Sequence, residues 1–237
     1  WIKGKDFTLK KLFAGKHQQI FKEKFDNNKC SLAIFRLAPQ DYHRFHSPVD
    51  GIVGDAEYIS GEYYTVNPMA IRSELDVYGE NIRVILPIET KEFGTVVFIC
   101  IGAMMVGSTV LTVKKNDHVG RGGELGYFKF GGSTCLLLFQ EGTMKFDEDL
   151  VDNSKQMVET LVRVGMSIGH SSAVDEFKRE KKKFDENSED QKLRIIRSIT
   201  GGAGIDKIDQ QKYNIPSSIA KGSHIGSLSW ETRNLGL

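Results

Sequence analysis

The sequence predicts a β-rich α+β domain with a few peripheral helices. Short runs of β-branched and other apolar residues recur at regular spacing, which is typical of many short strands. Helical periodicity is confined to a few segments, so long helices are not expected. Gly102 and Gly107 interrupt the longest strand-like run, and glycines inside strands mark bulges or corners of a closed sheet. We therefore expect strands to dominate the fold.

The individual elements follow from the pattern in chain order. Residues 7–25 are predicted to be helical, because Leu9 and Leu12 share one apolar face. Residues 30–37 form an apolar run that is typical of a strand and ends before Pro39. The remaining predicted elements are strands near 51–59, 81–88 and 93–113, strands on either side of 131–134, and a short helix within 147–164.

Composition limits the possible classes of protein. The 32 lysines and arginines nearly balance the 31 aspartates and glutamates, so no overall charge favours nucleic acid as a partner. Cys30, Cys100 and Cys135 lie in or beside apolar runs without paired spacing, which predicts buried reduced thiols. No apolar run reaches the roughly 18 residues that span a bilayer. The first residues resemble neither a signal nor a transit peptide, and we expect the chain to be part of a longer one.

The character of the sequence changes near Ser172. Residues 1–172 are predicted to form the ordered core, and 173–237 a charged extension of low order. Acidic and basic blocks alternate around Lys181-Lys182-Lys183, as in a solvated helix or a disordered segment. Contact of this basic run with anionic lipid is an alternative, which the neighbouring acids disfavour.

A candidate reactive site is the run Gly131-Gly132-Ser133-Thr134, which lies between two apolar strands. A serine after a glycine can attack the preceding carbonyl if a base removes its proton. Most tetrapeptides of this kind are ordinary turns, so the run alone does not establish a reaction.

Two of the six histidines, His43 and His46, lie three residues apart beside a predicted turn. Histidine is the usual base near neutral pH, so the pair is a catalytic candidate. Two other interpretations stay open. The histidines can be structural, or they can bind a metal with Asp41 or Asp50, although their spacing matches no zinc motif.

Five blocks of the sequence resemble the phosphatidylserine decarboxylase family, in the family's order and spacing across residues 1–170. Agreement of several blocks is more specific than any single motif, and the segment after Ser172 lies outside the resemblance. The blocks are 41–48 (Asp-Tyr-His-Arg-Phe-His-Ser-Pro), 64–68 (Tyr-Thr-Val-Asn-Pro), 81–84 (Asn-Ile-Arg-Val), 106–108 (Val-Gly-Ser) and 123–134, which ends in Gly-Gly-Ser-Thr.

The resemblance implies a self-processing lyase with a hybrid β-barrel-like core over residues 93–139. The proenzyme is expected to cut itself between Gly132 and Ser133 into a β subunit, 1–132, and an α subunit, 133–237. Ser133 would become a covalent pyruvoyl group, the cofactor that forms a Schiff base with the substrate amine and accepts electrons as carbon dioxide leaves. By motif position, His46 matches the base for self-cleavage and His43 matches the histidine of the decarboxylation step. No metal is implied.

The implied reaction converts phosphatidylserine in membranes to phosphatidylethanolamine. A related pyruvoyl decarboxylase of a soluble amino acid such as tryptophan remains the alternative, since both reactions need the same electron sink. A non-catalytic lipid-binding domain is disfavoured, because Ser133, His43 and His46 are all retained. Oligomerisation stays open.

The resemblance also raises expectations about segments outside these blocks. The family's triad aspartate lies in an upstream Pro-x-Asp-Gly element, so a missing N-terminal segment is expected to supply it and processing of this chain alone to be slow. Asp50, in a similar element after the histidines, is not equated with it. The Gly-Gly-Ser-Thr form resembles the endomembrane branch of the Golgi, endosome or vacuole, with the mitochondrial inner membrane as the alternative. Tyr58, Tyr63 and Tyr64 are expected to pack in the core or on a strand, or else to line a lipid entrance.

Overall fold

The fold is known from a computed structural model of the chain. It describes residues 9–13, 15–25, 30–39, 41–66, 75–103, 108–129, 133–156, 158–175, 188–189 and 225–230.

The described elements are mostly strands, which confirms the predicted β-rich α+β class. The helices are α1 (Leu9–Leu12), a 3-10 turn (Gly15–His17), α2 (Gln18–Lys24), α3 (Val77–Glu80) and α4 (Glu148–Lys155). The strands are β1 (Cys30–Leu37), β2 (Arg44–His46), β3 (Gly51–Val53), β4 (Glu57–Ile59), β5 (Arg83–Thr90), β6 (Gly94–Ile101), β7 (Ser108–Leu111), β8 (His118–Val119), β9 (Glu124–Lys129), β10 (Ser133–Gln140), β11 (Met144–Phe146), β12 (Thr160–Val162), β13 (Gly169–Ser171) and β14 (Ile225–Trp230).

The central sheet has the order β12-β14-β1-β10-β6-β5-β3-β8, with β4 also paired to β5. Its ladders are antiparallel, except that β14 pairs in parallel with both β1 and β12. Among the described strands no ladder joins β12 to β8, so the sheet is open. The expected closure into a barrel is therefore only loosely supported. Of the two glycines expected at corners, Gly102 follows the end of β6, and Gly107 lies outside the described residues.

Both faces of the central sheet are buried, which explains the nearly continuous apolar sequence of its strands. Alternate residues of β1, β5, β6 and β10 belong to two separate hydrophobic clusters. A second sheet, β2-β9-β7, covers one face, and the N-terminal helices cover the other. The first cluster includes Phe35, Phe98, Leu137, Phe45 and Phe128, and the second includes Ile34, Ile99, Leu136, Leu12 and Phe13.

Several predicted elements are confirmed with small differences. The strand at residues 30–37 has the predicted bounds, and the helix within 147–164 is α4. The helix predicted over 7–25 is interrupted at Gly15. This glycine has a φ of +63°, and a Cβ there would lie 2.1 Å from Glu57 Oε1. The chain therefore turns at Gly15 instead of continuing one helix.

The C-terminal segment contributes β14 to the sheet, which the sequence pattern did not indicate. The boundary near Ser172 stays a prediction, as does the low order of most of 173–237, which lies outside the described residues. Within the described part of the chain, no helix has the length and apolar character needed to cross a membrane.

The three cysteines are free thiols, as predicted. Cys100 and Cys135 are buried directly opposite each other on β6 and β10. Burial, followed by the hydrogen bond with Cys135, raises the pKa of the Cys100 thiol well above its usual value. Burial alone raises the pKa of Cys30 to about 11. The Cys30 and Cys100 thiols therefore stay protonated at neutral pH and behave as packing groups.

Candidate active site

Ser133 is the first residue of β10 and is wholly buried. It lies opposite Leu37, the last residue of β1. Its Oγ has no hydrogen-bond partner among the described residues. A buried hydroxyl without a partner is costly, and such groups concentrate at reactive sites. Gly131 and Gly132, and with them the proposed scissile bond, lie outside the described residues.

Alternation along β10 fixes the face on which Ser133 lies. Cys135 and Leu137 belong to the cluster beneath the sheet β2-β9-β7, so Ser133 faces the same side. Thr134 faces the opposite side, toward the helices. The serine therefore lies on the face covered by the strands that carry and flank the two candidate histidines.

His43 is held in a tight turn after β1. The Asp41 carboxylate accepts a hydrogen bond from the Ala38 amide at 2.7 Å, and the Asp41 amide donates to the Ala38 carbonyl at 2.9 Å. His43 Nδ1 lies 2.6 Å from the Asp41 carbonyl oxygen. Because a carbonyl can only accept, Nδ1 carries the proton, and Nε2 is the basic atom of the neutral ring.

The backbone places His43 near the C-terminal end of β9, which is the end that leads to Ser133. The Phe128 amide donates to the His43 carbonyl at 2.9 Å, and Phe128 precedes Ser133 by five residues in the chain. His43 and Ser133 therefore belong to the same end of the two sheets.

His46 is held by two hydrogen bonds. Its Nδ1 lies 2.9 Å from the Gly122 carbonyl oxygen and its Nε2 lies 3.0 Å from the Tyr42 hydroxyl. By the same argument Nδ1 is the donor, so in the neutral ring Nε2 accepts from Tyr42. The two rings also stack, with centroids 5.6 Å apart. Burial raises the pKa of Tyr42, so its hydroxyl remains a donor at neutral pH.

His46 lies farther than His43 from the C-terminal end of β9. It pairs with Glu124, after a bulge between Phe45 and His46, whereas the carbonyl of His43 bonds to Phe128. Four residues of strand correspond to about 13 Å. The structure thus brings His43 toward Ser133 and leaves His46 bonded to Tyr42. The roles assigned to the two histidines stay predictions.

The aspartates proposed as metal ligands have other partners. Asp41 closes the turn before His43, and Asp50 accepts a hydrogen bond from the Arg121 amide at 2.7 Å. Among the described residues, no group of three or more His, Cys, Asp or Glu side chains could hold a metal ion.

Two buried polar residues at the same end of the sheet were not predicted from the sequence. The Asn81 amide bonds to both backbone groups of Tyr64 and donates to the Gly102 carbonyl, at 2.7 to 2.9 Å. Arg36 forms a bidentate ion pair with Glu159. The sequence does carry a signal for Arg36, because it is a charged residue inside an apolar strand. A charged side chain in such a position is buried only when it is paired.

The three tyrosines considered for a lipid entrance are exposed, with 59 % of Tyr58, 48 % of Tyr63 and 38 % of Tyr64 accessible. Core packing is therefore excluded for them. Asn81 bonds both to the Tyr64 backbone and to the carbonyl of Gly102, the residue after β6. The last residue of β6, Ile101, pairs with Thr134. The role of the tyrosines at an entrance stays a prediction.

Comparison with known proteins gives one consistent result. Residues 1–170 match the family model described as phosphatidylserine decarboxylase. A phosphatidylserine decarboxylase proenzyme 2 of Komagataella phaffii is 54% identical over 244 residues, covering 100% of this chain and 24% of the relative. The corresponding protein of Saccharomyces cerevisiae is 51% identical, covering 99% of this chain and 19% of the relative. A proenzyme of Chlamydia muridarum is 46% identical, covering 71% of this chain and 54% of the relative. The chain thus spans a quarter or less of the length of the two yeast relatives.

Proposed function

The chain belongs to the phosphatidylserine decarboxylase family, and on this premise we propose that it cuts itself at Gly132-Ser133 and then decarboxylates phosphatidylserine to phosphatidylethanolamine. The observation that carries the proposal is the wholly buried Ser133, whose Oγ has no described hydrogen-bond partner at the start of a central strand. Family membership supports the reaction, and the candidate histidines beside the same sheet support the site.

The first step is an N-to-O acyl shift. Ser133 Oγ bonds to the Gly132 carbonyl carbon while a base takes its proton, and the Gly132–Ser133 C–N bond breaks as the proton passes to the nitrogen. Removal of the Cα proton of Ser133 then breaks its Cβ–Oγ bond. The upstream chain leaves with a carboxylate, and the dehydroalanine takes up water and loses ammonia to become the pyruvoyl group.

The two histidines are proposed to serve different steps. His46 is proposed as the base for the acyl shift, with Nε2 as the accepting atom, because Nδ1 is bonded to the Gly122 carbonyl. Because His46 lies about 13 Å farther than His43 along β9 from the end that leads to Ser133, the proton has to reach Nε2 through a relay, and the Tyr42 hydroxyl bonded to Nε2 is proposed as its last member. His43 is proposed to hold and return the proton at Nε2 during decarboxylation, with Nδ1 fixed by the Asp41 carbonyl.

The surroundings of Ser133 suit a pyruvoyl group. Such a group supplies a ketone that bonds the substrate amine and accepts the electrons left when carbon dioxide departs. Its formation removes the unpartnered hydroxyl, and a ketone needs no donor from the protein. Leu37 lies opposite Ser133 and Cys135 follows on the same face, and both belong to one buried apolar cluster.

The two product chains are proposed to remain together as β and α subunits. In the uncut chain, β10 pairs over eight residues with β1 and over five with β6, and both partners precede the cut. Cleavage before the first residue of β10 breaks none of these ladders.

The proposed substrate is a bilayer lipid, so we also propose that the enzyme works at a membrane surface. The Golgi, endosomal or vacuolar membranes remain the proposed compartment, with the mitochondrial inner membrane as the alternative. Fractionation of the tagged full-length protein, with marker proteins for each compartment, decides between them.

Intact mass under denaturing conditions, followed by a lipid assay, tests the proposed function. We expect two chains that meet at Gly132 and Ser133, with a ketone in place of the amine at the second chain's start. Release of carbon dioxide from phosphatidylserine vesicles but not from free tryptophan supports the lipid substrate, and the reverse favours the soluble amino acid. Ser133→Ala, which stays uncut, is the matched control. A two-chain protein inactive on both substrates contradicts the proposal.

A further inference from the structure

Three exposed tyrosines lie close together in the chain, one in β4 and two shortly after it. Tyr58 is the middle residue of β4, and Tyr63 and Tyr64 follow within six residues. Among the described residues, Ile52 and Val174 are the only other large apolar side chains that are exposed. Single exposed aromatic residues are ordinary, but a group of them marks a surface that contacts another molecule or a membrane. We call Tyr58, Tyr63 and Tyr64 the tyrosine cluster.

The main chain beneath the tyrosine cluster is fixed at several points. Ile59 and Val66, on either side of the two later tyrosines, pack in the second hydrophobic cluster. The Tyr64 amide donates to the Asn81 side chain at 2.9 Å, and the Asn81 nitrogen donates to the Tyr64 carbonyl at 2.7 Å. A Cβ on Gly61 would lie 2.3 Å from a main-chain oxygen, so the segment packs closely against its neighbour. Contact through the exposed side chains therefore needs little ordering of the backbone.

Main-chain hydrogen bonds connect the segment that carries the tyrosine cluster to the end of the central sheet at which Ser133 lies. The Ile82 amide donates to the Glu62 carbonyl, and the Gly102 amide donates to the Ile82 carbonyl, both at 2.9 Å. Gly102 directly follows the last residue of β6, which pairs with the residue after Ser133. These four positions form one row across the sheet, about 14 Å long at a strand spacing of about 4.8 Å.

Tyr58 also lies on the same face of the sheet as Ser133. It pairs with Val84 on β5. Val84 pairs with Cys100 on β6, which in turn pairs with Cys135 on β10. Paired residues of neighbouring strands project to the same face, and Cys135 lies two residues after Ser133 in one strand. Tyr58 is therefore the exposed end of a row of side chains on the face that carries the serine.

The charge around the tyrosine cluster indicates which kind of surface it fits. The only charged residues in the segment 57–64 are Glu57 and Glu62. These carboxylates offer no attraction to anionic lipid. Tyrosine is enriched at membrane–water interfaces, because its ring is apolar and its hydroxyl reaches water. The cluster therefore suits the headgroup region of a zwitterionic bilayer, where the aromatic rings and not the charge hold the protein.

We propose that the tyrosine cluster enters the headgroup region of a zwitterionic bilayer, such as one of phosphatidylcholine, and holds the Ser133 end of the central sheet at its surface. The inference rests on the proposed function, because a bilayer lipid is the proposed substrate, and it adds the surface that meets the membrane. A bilayer is favoured over a protein partner because the cluster lies at the same end of the sheet as Ser133, and Tyr58 on the same face.

Flotation with vesicles tests the proposal without depending on activity. The uncut Ser133→Ala chain is mixed with vesicles of phosphatidylcholine, alone or with added phosphatidylglycerol, at low and at high salt. We expect binding to both kinds of vesicle, with little effect of the added charge or of salt. The triple variant Tyr58→Ser/Tyr63→Ser/Tyr64→Ser should lower the partition coefficient roughly tenfold or more, since three rings lose apolar burial.

Ile52→Ser is the matched control and should bind like the parent chain. Ile52 is also exposed and apolar, but it pairs with Glu89 near the other end of β5. Glu89 lies five residues from Val84, the partner of Tyr58, which corresponds to about 17 Å along the strand. Circular dichroism and thermal melting check that each variant is folded, as expected for replacements of exposed side chains.

A fluorescent reporter keeps the test independent of the triple variant. In Tyr63→Trp, the added indole should shift its emission to shorter wavelength on phosphatidylcholine vesicles and should be quenched by lipids brominated near the headgroup. The signals of Trp1 and Trp230 are removed by subtracting the spectrum of the parent chain. Ile52→Trp should show neither the shift nor the quenching.

Several results overturn the inference. One is unchanged binding by a folded triple variant, and another is the absence of quenching in Tyr63→Trp. Binding that requires phosphatidylglycerol and disappears at high salt would assign the contact to a basic segment instead. Absence of binding to every vesicle would leave the cluster as a surface for a protein partner.

The outcomes also separate this inference from the proposed function. If the wild-type chain is cut and active on phosphatidylserine vesicles, and the triple variant binds and turns over equally well, only the membrane surface is wrong. If the wild-type chain is never cut or never releases carbon dioxide, the proposed function fails. Flotation of the Ser133→Ala chain then still decides whether the tyrosine cluster binds a bilayer.

Discussion

Both candidate histidines donate from Nδ1 to a main-chain carbonyl, Asp41 for His43 and Gly122 for His46. In a catalytic triad a carboxylate usually performs this task. A carbonyl fixes the same tautomer but adds no negative charge beside the ring. The sequence indicated the two histidines and the serine, because these side chains carry recognisable chemistry. The carbonyl partners were not predictable, because any residue type can supply them.

His46→Ala is predicted to leave the chain uncut. The variant lacks the basic Nε2 proposed to take the proton of Ser133, and general-base catalysis is typically worth about 10²- to 10⁴-fold in rate. Denaturing mass spectrometry over time measures the cut fraction. His118→Ala, at an exposed position of β8, is the control and should cut like wild type. Complete processing of His46→Ala at the wild-type rate rules out the base role.

His43→Gln is predicted to cut normally but to release almost no carbon dioxide. Glutamine cannot hold and return a proton, and the bond from the Ala38 amide to the Asp41 carboxylate, which closes the turn, does not involve the side chain of residue 43. Two assays on the same preparation are needed, intact mass for cleavage and carbon dioxide release for turnover. Normal turnover refutes the role of His43 in decarboxylation. Failure to cut would mean that His43 acts in the acyl shift.

Cys30 gives a pH prediction for stability. Burial raises the pKa of its thiol from 9.0 to about 11, so folding disfavours the thiolate. The stabilising contribution is fully present below pH 9.0 and is lost as the pH rises to about 11. Urea unfolding at pH 8 and at pH 11 measures the change in the free energy of unfolding. From the lower to the higher of these pH values, the free energy of unfolding should fall by about 2 kcal/mol less for Cys30→Ala than for wild type, since a tenfold change in an equilibrium constant corresponds to about 1.4 kcal/mol. Identical losses contradict the assignment.

At the scale of the elements, the apolar pattern predicted the strands better than their partners. Residues 30–37 were predicted with the observed bounds, because a long apolar run and a following proline define a strand locally. The partners of such a strand depend on residues far away in the chain. The parallel pairing of β14 with β1 is such a case, since β14 lies in a Gly- and Ser-rich segment with little periodicity.

Gly126 shows how one residue permits close packing of the smaller sheet. A Cβ there would lie 2.2 Å from the Val110 carbonyl oxygen and 2.7 Å from Phe45 Cζ, so neighbouring strands would have to move. Gly126→Ala is predicted to lower the free energy of unfolding by about 1–3 kcal/mol and to slow turnover, because β9 also holds the His43 backbone. Chemical denaturation and carbon dioxide release measure the two effects. Gly120→Ala is the control, because the nearest atom to its Cβ would be Asp50 Oδ1 at 3.8 Å. Equal stability of both variants contradicts the packing argument.

At the scale of the whole molecule, the β-rich class was predictable, but the open arrangement of the sheet was not. Local glycines cannot specify whether the outer strands of a sheet meet, because closure depends on strand tilt and register across the whole set. The candidate site shows the same division. Its reactive residues lie in two motifs, while the carbonyl groups that hold the two histidines are placed only by the fold.

The position of β10 predicts that the cut protein behaves as one unit. Cleavage at Gly132-Ser133 leaves β10 in the α chain, between β1 and β6 of the β chain, with its side chains buried on both faces. Separation would expose both hydrophobic clusters and two full strand edges, so the chains should co-elute without denaturant and unfold in a single transition. Size-exclusion chromatography of the processed protein, with urea unfolding followed by fluorescence and circular dichroism, measures this. The uncut Ser133→Ala chain is the reference and should show the same number of transitions. Chains that separate in buffer, or two distinct transitions, would mean that the strand pairing of β10 does not hold the two products together.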